Sequence, residues 1–391
     1  MLLNRLRRVT RDGLWIPEID GLRFIAIFSV LLFHMLGELS FRSGRVIPVE
    51  PGFHWLERLL ANGDRGVELF FVISGMILAL PFARQFLVGS KPVSLRKYYM
   101  RRVTRLEPPY IASVIVAVFL VAVYQHGFTT GSWPHILASL FYQHSLVFGR
   151  ISTVNPVTWS LEVEIQFYLL APLVMQFFRI RGTGPRRAAL VASILCLGLA
   201  QIPFRGWPRV EFSILFFLQY FLTGLLVADL FVLDLKNIRS SWLWDMAAVV
   251  SLGLICWLPR NVFWPHVMMP AALGTLCIAA MRSHALRRTL SNQWIAVIGG
   301  MCYSIYLLHF LFIAVLFKVT RHAIVPSAPF FLNYAIQLAL VAVPVIAICA
   351  VFFLLVERPC MDPDWPSKLW HKITGRRGEE AAAFDAAGIS E

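Results

Sequence analysis

The chain has 391 residues, of which 58% are hydrophobic and 15% are charged, and its formal net charge is +14 at pH 7. A soluble domain is typically about 45–50% apolar and about 25% charged, so the composition excludes an ordinary soluble protein and predicts one membrane domain. No basic run is interleaved with solvent-facing aromatic residues, so the positive charge is assigned to membrane loops and no nucleic-acid binding is expected. None of the six cysteines forms a close CxxC pair, so neither a disulfide framework nor a metal site is predicted.

Ten apolar stretches are long enough to be membrane-spanning helices. They are 21–37, 66–82, 108–124, 158–178, 189–203, 211–232, 243–259, 265–281, 295–318 and 331–356. The fifth stretch is the weakest, and 136–148 is its rival as a half-span or re-entrant piece. The sequence therefore predicts an all-α, polytopic integral membrane protein with about ten transmembrane helices.

The distribution of Lys and Arg predicts how these helices are oriented. If the N-terminus is cytoplasmic, the presumed inner loops hold about 25 of the 36 basic residues and the outer loops about 9. This asymmetry favours an even number of helices in the cell inner membrane, with both termini in the cytoplasm. Residues 1–20 then form a cytoplasmic N-terminal segment, 21–356 the transmembrane domain, and 357–391 a cytoplasmic tail. No cleavage site follows the first apolar run, so we expect that helix to be retained.

Ionisable residues are rare in membrane helices and often functional, and the first helix carries two of them, Arg23 and His34. Eleven residues at 100° each return to within about 20° of the same face, about 16 Å farther along the axis. One face of the helix therefore carries a cation near the cytoplasmic end and an imidazole deeper in the membrane. The alternatives are a snorkelling interface anchor for Arg23 and a hydrogen-bonded packing residue for His34.

Two further outer segments carry carboxylates. Glu68 lies near the outer end of the second helix with Ser74 farther in, although Glu68 could equally lie at the headgroup boundary. Glu162 and Glu164 are two residues apart, so their side chains point about 200° away from each other on a helix. This spacing argues against a paired-carboxylate mechanism. Trp159, at the start of the same helix, suits an interfacial anchor.

The ninth helix places His309 in the middle of an apolar run, with Tyr303 and Tyr306 one to two turns before it. Counting residues from the membrane faces puts His34, His309 and Glu164 at nearly the same depth, in the outer half of the bilayer. That arrangement is expected of a general base held by an orienting acid. The alternative for His309 is a structural hydrogen-bonding role.

A basic cytoplasmic loop precedes the third apolar stretch. Arg102 and Arg105 are i, i+3 neighbours there, so their guanidinium groups can converge on one phosphate, and Arg101 lies beside them. The alternative is ordinary positive-inside charge.

Six segments occur in an order that resembles the acyltransferase-3 family of bacterial membrane enzymes. They are IPEIDGLRFIAIFSVLLFHM, GVELFFVISG, RRVTR, WSLEVEIQFYL, YSIYLLH and a closing ERP, and they extend from about Ile16 to Pro359. The resemblance implies about ten helices and a cytoplasmic acyl-CoA donor, commonly acetyl-CoA, with no tightly bound cofactor. It also implies an acceptor hydroxyl on an envelope glycan, an exopolysaccharide, a lipid-linked sugar or a macrolide.

The resemblance also assigns roles to individual residues. His34 matches the family's essential histidine and Arg23 its basic partner, while Glu164 matches the motif glutamate. Arg102 and Arg105 match the loop arginines.

The sequence departs from the common family pattern at three positions. Glu162 and Ile165 stand where that pattern has Ser and a second Glu, and Glu68 replaces a frequent Asp. These differences indicate a subgroup and leave the acceptor open.

The mechanism expected from these residues begins with acyl-CoA phosphates bound by the loop arginines and Arg23. His34, oriented by Glu164 or Glu68, then takes the proton of an acceptor hydroxyl that arrives from the outer side. Candidates for stabilising the oxyanion or contacting the substrate are Tyr303, Tyr306, His309, Ser74 and Trp159.

Two other functions remain open at this point. The first is a proton-coupled transporter or flippase of a glycan or lipid precursor, in which buried His and Glu residues relay protons. It would favour inverted repeats, and none is visible. The second is a glycan polymerase or glycosyltransferase, which would favour acidic outer loops, whereas these loops contain few acids apart from residues 50–68.

Overall fold

The computed structural model describes residues 6–8, 15–42, 49–124, 131–235, 237–259, 264–362, 365–366 and 368. These residues form helices and connecting turns, and no strand occurs among them. The helices are α1 (Pro17–Gly37), α2 (His54–Ala61), α3 (Gly66–Val88), α4 (Leu95–Tyr124), α5 (Ser132–Leu140), α6 (His144–Phe148), α7 (Trp159–Val174), α8 (Thr183–Ala200), α9 (Pro208–Glu211), α10 (Ile214–Leu233), α11 (Trp242–Trp257), α12 (Trp264–Arg282), α13 (Ala285–Leu290), α14 (Gln293–Gly300), α15 (Cys302–Thr320), α16 (Phe330–Phe352) and α17 (Arg358–Cys360).

Every one of the ten predicted apolar stretches is helical over most of its length. Within the described residues, eight helical segments are long and apolar enough to cross a membrane, and they contain α1, α3, α4, α7, α8, α10, α15 and α16. Helix α11 is apolar but shorter, and Leu243 and Val249 on it are 72% and 71% exposed. Exposed apolar surface on this scale fits contact with lipid. The chain is a multi-pass helical membrane protein, while the total of ten spans and the orientation of the termini stay predictions.

The segment 136–148 and the ninth stretch are each interrupted, and the half-span or re-entrant form of the first stays a prediction. The first is two short helices, α5 and α6, joined by a turn. The ninth stretch is broken at Met301 into α14 and α15. The close approach of α1 explains why Gly299 stands beside this break, because a Cβ atom there would lie 1.7 Å from the carbonyl oxygen of Asp20.

Helix α1 lies between two clusters of buried side chains that together form the core. One cluster surrounds α3, α7 and α10, where the rings of Phe167 and Phe221 stack at 4.0 Å. The other surrounds α4, α15 and α16 and includes Phe353. Leu22 of α1 packs in the first cluster and Leu31 in the second. The helix that carries Arg23 and His34 is therefore central to the domain.

The predicted domain boundaries, at residues 20 and 357, lie close to segments outside the described part of the chain. Residues 1–5, 9–14 and 369–391 lie outside the described part of the chain. The extent of the two predicted terminal segments therefore stays a prediction.

Candidate active site

A buried cavity of about 120 Å³ lies near the end of the molecule at which α1 begins. Four arginines and two glutamates line it, and they are Arg8, Arg23, Arg102, Arg105, Glu164 and Glu357. The lining therefore carries two more positive than negative formal charges. A surplus of this sign in a low-dielectric site favours an anionic ligand.

The arginines of the cavity are held by different partners. Arg23 donates to the Asp20 carboxylate with an Nη1–Oδ1 distance of 2.6 Å. The guanidinium of Arg102 lies over the ring of Tyr168, 5.5 Å from its centroid. The buried Nε atoms of Arg102, Arg105 and Arg8 have no hydrogen-bond partner among the residues that the structure describes. Buried donors without partners are rare, and all three belong to arginines that line the cavity.

Arg8 is a member of this site that the sequence did not single out. It comes from the segment before α1 and lies 3.7 Å from Asp20. Burial lowers the pKa of Arg8 well below its usual range, and the neighbouring Arg105 and Arg23 lower it further. A basic residue beside a membrane helix is expected from the positive-inside rule alone, so its sequence position gave no signal. Arg101, by contrast, is exposed and does not line the cavity.

Glu164 is the centre of a hydrogen-bonded group in the cavity wall. Its Oε1 atom accepts hydrogen bonds from the hydroxyls of Ser74 and Tyr168, each at 2.5 Å. Glu162 faces elsewhere and accepts the backbone N–H of Ser145 at 2.9 Å. The prediction that the two glutamates do not share a site is confirmed. Tyr168 was missed because a tyrosine in an apolar helix is common.

Glu357 belongs to the closing ERP segment and is fully buried. Its Oε2 atom accepts hydrogen bonds from the backbone N–H and the hydroxyl of Ser304, at 3.0 and 2.5 Å. Its Oε1 atom has no partner within the described residues. A carboxylate that ends a strongly apolar stretch was a usable signal, since such residues rarely serve packing alone.

The two predicted histidines meet outside this cavity. The ring centroids of His34 and His309 are 5.2 Å apart, and Phe310 also lies against His34. The Nδ1 atom of His309 lies 2.8 Å from the carbonyl oxygen of Ile305 and 2.9 Å from that of Tyr306, so it carries the proton. The buried Nε2 atom has no partner in the part of the chain that is described, and it is therefore a free acceptor on a ring whose centroid lies 5.2 Å from that of His34.

Glu164 does not share the layer of the histidines, which corrects the depth prediction. That prediction assumed that α7 starts at the membrane surface. Instead the preceding loop is buried, and Asn155 donates from Nδ2 to the carbonyl of Leu307 at 2.9 Å, two residues before His309. Helix α7 therefore starts at the depth of the histidines, and Glu164 lies on its second turn, toward Arg23.

The loop before α3 also enters the domain. A Cβ atom at Gly66 would lie 2.3 Å from the carbonyl oxygen of Ala26, so α3 begins beside the middle of α1. Ser74, two turns farther along α3, then reaches the level of Arg23 and joins Glu164 in the cavity. Glu68 is half-buried in the first turn of α3 and does not line the cavity.

The remaining candidates have structural partners. The hydroxyls of Tyr303 and Tyr306 donate to the carbonyls of Leu106 and Val157, at 3.0 and 2.6 Å, so in this conformation neither proton is available to an oxyanion. Both side chains line the cavity, and Tyr306 lies one turn before His309. Trp159 packs against the rings of Phe212 and Phe217. Their proposed catalytic or substrate roles stay predictions.

Comparison with known proteins gives a consistent picture. A family model described as an acyltransferase domain matches residues 16–354. The O-acetyltransferase OatA of Staphylococcus aureus (strain COL) is 25% identical over 329 residues, which cover 76% of this chain and 50% of that protein. The peptidoglycan O-acetyltransferase OatA of Listeria monocytogenes is 24% identical over 341 residues, which cover 78% of this chain and 50% of that protein. The chain thus spans about half the length of these curated relatives, and no solved structure matches it.

Proposed function

The chain belongs to the acyltransferase family whose model matches residues 16–354, and on that premise we propose that it moves an acetyl group from acetyl-CoA to a carbohydrate hydroxyl. The acceptor is an extracytoplasmic or lipid-linked carbohydrate, and the protein lies in the cell inner membrane with both termini in the cytoplasm. Peptidoglycan is the first acceptor to test, because the Listeria relative carries that substrate in its name.

The charged cavity is the main observation in support of this proposal, because it suits the binding of the acyl-CoA donor. Acyl-CoA carries phosphates, and Arg23 lines the cavity together with Arg8, Arg102 and Arg105. Each of the last three has a buried Nε donor without a partner among the described residues. We place the acyl-carrying arm in this cavity and the nucleotide at its mouth. Arg101 is left out of the binding set because it is exposed on the outside of α4.

The histidine pair supports the acceptor half. We assign His34 as the general base and His309, in place of Glu164, as the group that orients it. The unprotonated Nε2 of His309 can accept the N–H of His34 after a small ring rotation, which leaves the other nitrogen of His34 free to take a proton. The acceptor oxygen then attacks the thioester carbon, its proton passes to His34, the C–S bond breaks, and CoA leaves as the thiolate.

The acyl-carrying arm of CoA has to reach from the cavity to the histidine pair. Arg23 and His34 are about 16 Å apart along α1, and the wall between them includes Phe70, Leu161 and Tyr306. The thioester therefore passes this wall before it meets the acceptor. Ser74 hydrogen-bonds to Glu164 and keeps that carboxylate in place beside the arm.

The test compares two histidine variants in a host strain that lacks the chromosomal gene. Wild type and His54→Ala, which changes an exposed histidine of α2, should restore acetylation of the envelope glycans. His34→Ala should be present at the same level in the membrane and restore about 10²–10⁴-fold less, the usual cost of losing a general base. The same purified variants should bind radiolabelled acetyl-CoA equally well.

Two outcomes would contradict the proposal. Full acetylation by His34→Ala would remove His34 as the base while leaving acyl transfer standing. Folded wild-type protein that does not bind acetyl-CoA would instead favour a transporter or flippase that uses the same buried groups as a proton relay.

A further inference from the structure

A second cavity, of about 520 Å³, lies away from the candidate active site. It is formed where the C-terminal ends of α3 and α10 meet the turn that joins α7 to α8. Candidate membrane spans end at Val88, Arg179 and Leu233 and begin at Thr183, all within two residues of this cavity or in its wall. The cavity therefore lies at the level where membrane helices enter and leave the bilayer.

The cavity is lined by both cationic and apolar side chains. Arg179, Arg181 and Arg186 line it, and no acidic residue is found among its described lining residues. Phe86, whose ring lies 5.9 Å from the Arg179 guanidinium, and Leu233 are apolar lining residues. This combination matches a ligand that has an anionic head and a hydrocarbon tail.

Arg186 is the buried arginine of this cavity, and only 4% of it is exposed. Its Nε atom donates to the Asp229 carboxylate at 2.5 Å, and Nη1 lies 3.4 Å from the carbonyls of Ile180 and Gly182. The buried Nη2 atom has no partner within the described residues. A fixed, buried guanidinium with one unused donor is costly unless a ligand accepts its hydrogen bond.

The charges around Arg186 do not cancel. Arg187 donates to both Asp229 and Asp234, so two arginines and two aspartates form a balanced group. The two remaining arginines, Arg179 and Arg181, are exposed at the rim. They add two positive charges that no described carboxylate in the cavity wall neutralises.

The start of α8 adds a second kind of donor. This helix runs for 18 residues from Thr183, which lines the cavity, and no side chain caps its N-terminus. The first N–H groups of a helix and the positive end of its dipole both favour an anion. The start of α8 and Arg186 thus line the same cavity.

We propose that this cavity binds the phosphate group of an anionic phospholipid, with one acyl chain lying along Phe86 and Leu233. Arg186 and the start of α8 bind the phosphate, and Arg179 and Arg181 select lipids with net negative charge. Basic pockets between membrane helices at the bilayer surface commonly recognise such headgroups. The proposal is independent of acyl transfer, because none of these residues lines the active-site cavity.

The experiment measures binding to protein in a neutral detergent, through the change in melting temperature. The titrants are dioctanoyl phosphatidylglycerol, dioctanoyl phosphatidylcholine and inorganic phosphate. The test variant is Arg179→Gln/Arg181→Gln, which leaves the buried ion pairs intact. The matched control is Arg239→Gln/Arg288→Gln, which removes two exposed arginines that do not line the cavity.

For wild type and the control we expect saturable stabilisation by phosphatidylglycerol, with at least tenfold weaker binding of phosphatidylcholine. The test variant should bind phosphatidylglycerol at least tenfold more weakly than the control does. Equal binding of the two lipids, or equal behaviour of the two variants, would overturn the proposal. Saturation by inorganic phosphate at the same concentration as phosphatidylglycerol would also overturn it, because the tail would then contribute nothing.

Discussion

The cavity beside Arg23 and the histidine pair beside His34 lie about 16 Å apart on α1, and they accommodate polar groups in different ways. The cavity is lined by full charges, and one of them, Arg23, is paired with Asp20 beside the cavity. The histidine pair lies among aromatic rings, and His309 is held by backbone carbonyls. One helix can thus hold two chemically different sites when each end has its own neighbours.

This separation has a physical reason. Buried charges are tolerated only when they are paired or bind a charged ligand, so charge collects in the cavity where several helices supply both signs. An imidazole can be buried without charge, because one nitrogen donates and the other accepts. In the proposed function, the Arg23 region binds the anionic donor and the His34 region transfers the proton.

After His34→Ala, the largest effect is expected from His309, which tests whether proton transfer depends on the pair. His309→Gln keeps a donor for the backbone carbonyls but removes the free imidazole nitrogen, so acetyl transfer should fall about 10²-fold. Binding of acetyl-CoA should be unchanged. The control is His322→Gln, an exposed histidine just after α15, which should stay within about twofold of wild type. Normal transfer by His309→Gln would remove its orienting role.

The next effect concerns the cavity alone. Arg102→Gln/Arg105→Gln should weaken binding of radiolabelled acetyl-CoA by about 10–100-fold, since hydrogen bonds to charged groups contribute about 1.5–3 kcal/mol and about 1.4 kcal/mol is tenfold. Arg101→Gln, on the exposed face of the same helix, is the matched control and should bind normally. A similar loss in both variants would mean that general basic charge attracts the donor, and that the cavity does not bind it specifically.

A smaller effect is expected from Ser74. It tests whether the chemical step takes place in the cavity or at the histidine pair. Ser74→Ala removes one hydrogen bond to Glu164 and should lower transfer by about fivefold, as the loss of about 1 kcal/mol implies. No acetyl group should remain on the wild-type protein after incubation with labelled acetyl-CoA. Complete loss of transfer, together with a labelled Ser74 in wild type, would instead place a covalent step in the cavity.

The smallest expected effect is a pH dependence of stability that comes from His144. This residue is the first of α6 and lies outside the candidate membrane spans. Burial lowers the pKa of His144, although its hydrogen bond to the Arg150 carbonyl raises it in part. Its Nε2 accepts from His135 at 2.9 Å, an arrangement that requires the neutral ring. The folded-state pKa of His144 lies below the ordinary value of about 6.5, so the folded protein favours the neutral ring. The contribution of His144 to the free energy of unfolding is therefore complete above about pH 6.5 and declines as the pH falls below it.

The measurement for His144 is the melting temperature of the purified protein between about pH 7.5 and pH 5.5. Wild type should lose stability toward the acid end, and His144→Gln should show a flatter profile. Parallel profiles for the two proteins would show that other groups cause the acid loss.

Much of the fold followed from local composition. The predicted stretches 21–37 and 66–82 end and begin at the residues where α1 ends and α3 begins. Helix α4 begins well before the predicted stretch 108–124, because its first turns are basic and hydropathy does not register a charged helix. Helix length and apolarity are properties of neighbouring residues, which is why the sequence was sufficient for them.

Sequence alone determined that the chain is a multi-pass helical protein with Arg23 and His34 on one helix, and it indicated acyl transfer through ordered motifs. Only the tertiary structure decided that His34 meets His309 while Glu164 meets Ser74. The physical reason is depth: counting along a helix fixes spacing within that helix, but its starting level depends on where the preceding loop finds hydrogen-bond partners. Asn155 finds one at Leu307, inside the domain, and that contact moves Glu164 from the histidines to the arginines.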